Sequence, residues 1–155
     1  MIATSSLATF SSCYTALASQ PEFTEARLFS LVFRDYWKCA HSLKGEIFGP
    51  AQLMHVITFE VEVTYLTDVL DEYNLIVDFG AAQSSLQELL RPMEFKTLDD
   101  LPQFQGINTT TEYLCKYLHE KIATRVADVF KGTLRVTLRE SAVAWCTYEG
   151  PVPAV

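Results

Sequence analysis

Residues 55–65 alternate without interruption, and no other segment constrains the fold so tightly. Ile57, Phe59, Val61, Val63 and Tyr65 alternate with Thr58, Glu60, Glu62 and Thr64. A period of two is the signature of a strand with one buried face and one polar or differently packed face. No Pro or Gly breaks the run. A second strand is predicted from Leu28 to Trp37, where aromatic and β-branched residues are dense.

After an acidic connection over 66–74 the period changes to that of a helix. Asp78-Phe79-Gly80 leads in, and Phe79, Ala82, Leu86, Leu89 and Leu90 fall on one side, with Pro92 closing the segment. Residues 93–107 read as loop. A second helix is predicted from about Thr110 to Phe130, with Leu114, Tyr117, Leu118, Ile122 and Val126 as its apolar stripe. Thr109 and Glu112 have capping-box spacing at its start. His119, off that stripe, is read as a helix-surface residue. Gly132 marks the exit, followed by strands from Leu134 to Arg139 and from Val143 to Tyr148. Two strands, two helices and two strands give a two-layer α+β domain, a four-stranded antiparallel sheet with both helices on one face.

At 155 residues the chain is expected to form one domain, over 27–150. Residues 1–26 are read as a flexible Ser/Thr/Ala-rich extension that lacks the basic start of a secretory signal, and 151–155 as a tail. The net charge of −7, without a Lys/Arg cluster, argues against nucleic acid as a partner. No apolar run approaches the roughly 18 residues of a membrane span. Cys13, Cys39, Cys115 and Cys146 have no CxxC spacing and are expected to be free thiols in the cytoplasm.

Several short motifs occur in order: Cys39-Ala40-His41, Leu53-Met54-His55, Leu75-Ile76-Val77-Asp78-Phe79, Asn108-Thr109-Thr110-Thr111-Glu112, and Glu140. Their order and spacing resemble the 6-pyruvoyl-tetrahydropterin synthase / 6-carboxytetrahydropterin synthase family. The resemblance covers residues 28–149. It implies the tunnelling fold, in which subunits join their sheets into a β-barrel as a homotrimer or homohexamer and bind a small heterocyclic substrate.

The resemblance also assigns roles, and three of them are broken. The family binds zinc through three His, one ending an F-x-A-A-H strand and two from H-G-H. Here His41 and His55 match two of them, and Leu53 replaces the third. The family's base, a Cys shortly before H-G-H, has no counterpart in Ile47-Phe48-Gly49-Pro50-Ala51-Gln52, and Glu46, the nearest carboxylate, reads as a solvated loop residue. The family's Asp-His pair becomes Glu94-Phe95 in Met93-Glu94-Phe95-Lys96-Thr97-Leu98-Asp99, and Phe cannot transfer a proton. The ligand-holding half is kept. Glu140 in Leu138-Arg139-Glu140-Ser141 matches the buried pterin-anchoring Glu, and Thr110-Thr111-Glu112 match the family's ring-contacting segment.

Candidate catalytic residues are therefore Glu140 and Glu94, and candidate ligand-binding residues are Glu140, Thr110, Thr111, His41 and His55. His41 and His55 are metal ligands only if zinc is retained with a substitute such as Cys39, Glu46 or a neighbouring subunit's carboxylate. Otherwise no cofactor is expected. The implied function is a divergent pterin-binding family member with the standard chemistry lost and its pocket recruited to another lyase or cyclase reaction. The alternatives are an active synthase with a rebuilt zinc site and a non-catalytic subunit of a mixed barrel.

Overall fold

The computed structural model describes residues 28–153, so the extension expected over 1–26 lies outside the described residues. Six main elements follow in chain order: β1 (Phe29–His41), β2 (His55–Thr67), α1 (Phe79–Leu90), α2 (Thr111–Val126), β3 (Thr133–Arg139) and β4 (Trp145–Pro151). The sheet has the order β1-β2-β3-β4 with every pairing antiparallel. α1 packs on β1 and on α2, and α2 packs on β3 and β4, so the helices form one layer over one face. No described helix is long and apolar enough to cross a membrane.

The alternation in β2 is realised residue by residue. Ile57, Phe59, Val61, Val63 and Tyr65 are all buried. Trp37 and Cys39 of β1 and Leu134, Val136 and Leu138 of β3 extend the same apolar face. Ala82, Leu86, Leu89 and Leu90 of α1 close over it with Leu114, Leu118, Ile122 and Val126 of α2. Phe79 is the exception on α1: it is largely exposed, with its ring edge-to-face against Phe33.

The opposite face is polar, and its ion pairs join mostly residues directly opposite in the ladder. Arg34 contacts Glu60 at 3.2 Å and Glu62 at 2.7 Å, and Arg139 lies 3.7 Å from Glu60 with its guanidinium 4.8 Å over Trp145. Such exposed pairs contribute little stability.

Several boundaries differ from the sequence reading. β1 runs four residues past Trp37, because its pairing with β2 continues to His41 opposite His55. α2 ends at Val126 rather than Phe130, and the chain turns there so that Phe130 is buried against Tyr65. β4 is Trp145–Pro151 rather than Val143–Tyr148, since residues 140–144 form the turn from β3, closed by Glu140 and Ser141 N–H groups donating to Ala144 O. Gly132 is required by close approach: a Cβ there would collide with the backbone carbonyl of Leu66.

His119 is buried, not on the surface. Its Nε2–H donates to Gly150 O at 3.2 Å and its ring meets Tyr148 edge-on. The longer β4 covers this side of α2, and Gly150 has no side chain to keep the imidazole out: a Cβ there would lie 3.2 Å from His119 Cε1.

Candidate functional site

One end of the sheet collects most of the predicted residues. β1 finishes there, β2 starts there, β3 ends near by, and the N-terminus of α2 points to the same end. His41 and His55 face each other directly across the β1–β2 ladder, with ring centroids 4.6 Å apart.

Both imidazoles are held in the same way. His41 Nδ1 lies 3.1 Å from the carbonyl of Thr109 and 3.0 Å from its hydroxyl, and His55 Nδ1 lies 2.9 Å from Leu53 O. A carbonyl only accepts, so the network assigns the proton to Nδ1 in each ring. Nε2 is then the nitrogen left to accept a proton or bind a ligand. Burial, then the neighbouring His55, lowers the pKa of His41; Thr109, Asp99 and Glu140 oppose the shift. His41 is therefore a neutral imidazole at neutral pH.

Local bonds fix where β1 ends. Asp99 accepts from the Ser42 N–H and hydroxyl. Asn108 makes a reciprocal pair with Lys44, accepting from its N–H at 2.7 Å and donating to its carbonyl at 2.9 Å. These contacts tie residues 42–44 to the approach to α2 and bring Thr109 under His41. The capping expectation moves by one residue: Thr110 is the N-cap, its hydroxyl accepting from Tyr113 N–H at 3.3 Å. Thr109 cannot cap because its hydroxyl is fully buried against His41. The run of three threonines concealed this division of labour, and no periodic signal distinguishes them.

Glu140 sits just past β3. Its Oε2 accepts from the Thr111 hydroxyl at 3.0 Å. Glu140 is exposed in the single chain, where the sequence predicts a buried anchor. A concave surface of about 320 Å³ beside it is lined by Tyr36, Thr58, Glu60, Arg139, Ser141 and Ala142. The α2 N-terminus, with its unpaired N–H groups and positive dipole end, favours a carboxylate in this position.

Glu94 lies beside the outer edge of β1. Residues 95–97 lie along the outer edge of β1, with Phe95 N–H donating to Lys38 O at 2.7 Å and Ala40 N–H to Lys96 O at 2.9 Å. Glu94 lines a cleft with Asp35, Tyr36 and Arg91, and Tyr36 also lines the surface beside Glu140. Phe95 itself has φ 56° and is mostly exposed, a strained setting for an aromatic residue.

The donor set does not fit a three-imidazole metal centre. Leu53 presents an alkyl group at the third position and is 74% exposed. Cys39 is buried in the core, which pushes its thiol up to about 12, and Glu46 is exposed in the 3-10 turn Glu46–Gln52. No group of three or more His, Cys, Asp or Glu side chains suited to a metal ion occurs among the described residues.

A family model described as 6-pyruvoyl tetrahydropterin synthase matches residues 30–151. Among solved structures, the chain is similar to Caenorhabditis elegans 6-pyruvoyl tetrahydropterin synthase, with a TM-score of 0.70 and 20% identity over 80% of this chain and 96% of that one. It is also similar to the Plasmodium vivax enzyme of that name (TM-score 0.67, 12% identity, 81% and 99% covered) and the Plasmodium falciparum one (0.65, 10%, 81% and 99%). At these identities the likeness is one of fold. No curated protein sequence matches.

His41 has a pH consequence. Its folded pKa lies below the unfolded value of 6.5, so the unfolded chain binds more protons once the pH falls through that region. The stability gained from keeping His41 neutral is complete above about pH 6.5 and is lost on acidification. Melting temperatures measured from pH 8 to pH 5 are expected to be level at the alkaline end and to fall below pH 6.5. His41→Gln should lower stability throughout but flatten that fall. An unchanged slope in the variant would remove His41 as its source.

Proposed function

This chain belongs to the 6-pyruvoyl tetrahydropterin synthase family, and from that premise we propose that it binds a pterin-like heterocycle through Glu140 without the family's standard zinc, Cys and Asp-His chemistry. The observation that carries the reading is the Glu140–Thr111 hydrogen bond at the α2 N-terminus. Thr111 occupies one carboxylate oxygen from one direction and orients the group. The remaining acceptor positions suit two parallel N–H donors, the geometry of a guanidine-like edge. The Thr110 hydroxyl accepts in its cap and keeps its O–H to donate, while Thr111 donates to Glu140.

The chemistry left to the chain is proton handling and orientation. His41 and His55 present their Nε2 atoms at the same end of the sheet, the positions where an imidazole base takes up a proton. Phe95 ends the family's relay. A lyase or cyclase step driven by an imidazole base on a different substrate is the reaction class that these groups support.

The pocket is completed by assembly into a homotrimer or homohexamer. β1 and β4 are both outer strands of the four-stranded sheet, with Phe29, Val32, Tyr36 and Trp145 exposed along them. Open edges invite uncontrolled pairing, and closure between copies removes them. Glu94, on the outer side of β1, is then offered to the pocket of an adjoining subunit. Sedimentation should show three or six copies of the 17.5 kDa chain. A lone 17.5 kDa species at micromolar concentration would remove the shared pocket.

Glu140→Gln tests the anchor. A hydrogen bond to a charged group contributes roughly 1.5–3 kcal/mol, so the variant should bind a reduced or oxidised pterin about ten- to a hundredfold more weakly by calorimetry, with the fold intact. If no pterin binds the parent protein and the variant leaves any activity unchanged, Glu140 is only a turn residue.

A second reading, a synthase with a rebuilt zinc site, draws on the two pinned imidazoles, because an Nδ1–H fixed by a carbonyl is how metal-binding His is usually oriented. With two protein ligands per chain, elemental analysis should find well under one zinc per chain. Stoichiometric zinc that disappears in His41→Ala would favour this second reading.

A further inference from the structure

Two thiols that the proposed function does not use lie together under α2. Cys115 follows Thr111 by one helical turn and is fully buried. Its Sγ–H donates to Val136 O at 3.0 Å and lies 3.6 Å from Cys146 O. Cys146 pairs with Leu138 in β4 and packs on the core beside Tyr148, so its side chain faces α2. It is partly exposed, whereas Cys115 is sealed. Burial, with Cys146 adding to it, pushes the Cys115 thiol up to about 12. An oxidant therefore meets Cys146 first.

We propose that Cys115 and Cys146 form a peroxide-responsive dithiol whose oxidation joins α2 to β4 by an intrachain disulfide. Cys146 as thiolate attacks the terminal oxygen of a hydroperoxide, breaking the O–O bond and giving a sulfenic acid, while the other oxygen leaves as alkoxide (hydroxide from hydrogen peroxide) and takes a proton from solvent. The sulfur of Cys115 then displaces the sulfenic oxygen, which leaves as water with the Cys115 proton. Two thiols are oxidised, and the peroxide is reduced by two electrons. Intracellular disulfides are typically of this transient, sensing kind. The raised pKa of Cys115 leaves the first attack to the more accessible Cys146 and makes resolution the slower step.

The position ties this dithiol to the candidate site. Thr111 and Glu140 bridge α2 to the β3–β4 turn, and Cys115 and Cys146 bridge α2 to β4 one helical turn further on. A disulfide there holds the first turns of α2 against the hairpin that carries Glu140, and fixes the Thr111–Glu140 spacing.

The full-length chain in a Cys13→Ser background would be treated with hydrogen peroxide, quenched by alkylation and mapped by peptide mass spectrometry. The expected product is a peptide pair linked through Cys115 and Cys146, lighter by the two thiol hydrogens and separated by dithiothreitol. The oxidised chain should melt about 5 °C higher, because the cross-link restricts the unfolded state, and reduction should reverse the shift. Cys146→Ser should abolish both the link and the shift. Accumulation of sulfenic or sulfinic acid on Cys146 with no link overturns the proposal. So does a link through Cys39 or between chains, or a linked form that melts lower than the reduced one. None of these outcomes depends on whether a pterin binds.

Discussion

The register of β2 against its two neighbours is the constraint on which the rest depends. Five consecutive odd-numbered side chains, Ile57 through Tyr65, fill the core. A slip of one residue would expose all of them and bury Thr58, Glu60 and Glu62 instead. Fully burying one large apolar side chain contributes about 1.5–3 kcal/mol, so the correct register is favoured over a slipped one by far more than any surface pair supplies. That register sets His41 opposite His55 and ends β3 at Arg139, leaving Glu140 free at the corner.

Polar bonds then refine what the core has placed. His41 lies near the edge of the apolar layer, where a neutral ring meeting a carbonyl and a hydroxyl is cheaper to bury than a charged one. Asp99 and Asn108 bind backbone groups of residues 42–44, and this holds the chain that leaves β1 against the chain that enters α2. Three consecutive threonines divide the work: Thr109 holds an imidazole, Thr110 caps a helix, and Thr111 orients a carboxylate. The neutral bonds among these contribute about 1 kcal/mol each. Together they set positions in the site rather than hold up the fold.

The two faces of the sheet are built for different purposes. One is a dry layer under two helices. The other carries Arg34, Glu60, Glu62, Arg139 and Arg135, with pairs such as Arg135–Glu149 at 2.6 Å. Exposed pairs of this kind are screened by salt and add little to stability. They do keep an exposed sheet face polar, which limits nonspecific association.

Periodicity made the strand and helix order legible, because residue spacing alone decides which side chains share a face. The break at Leu53 and the replacement of His by Phe95 were also legible, since those chemistries depend on residue identity. Element ends were less so. β4 begins at Trp145 because the turn before it consumes Val143, and β1 reaches His41 because β2 continues to offer it a partner. Glu94 matched a motif yet stands at the edge of β1, since sequence spacing carries no information on which side of a strand a loop returns. Likewise, nothing local marks His119 as buried; the space comes from Gly150, which is distant in sequence. By itself the sequence determined the sheet, its helical cover and the missing site residues, all set by side-chain identity at regular intervals. Only the tertiary structure decided which threonine holds His41 and which meets Glu140, because those partners lie 68 and 29 residues away and meet only when the sheet end and the α2 N-terminus are packed together, which leaves Thr110 to the local cap with Tyr113.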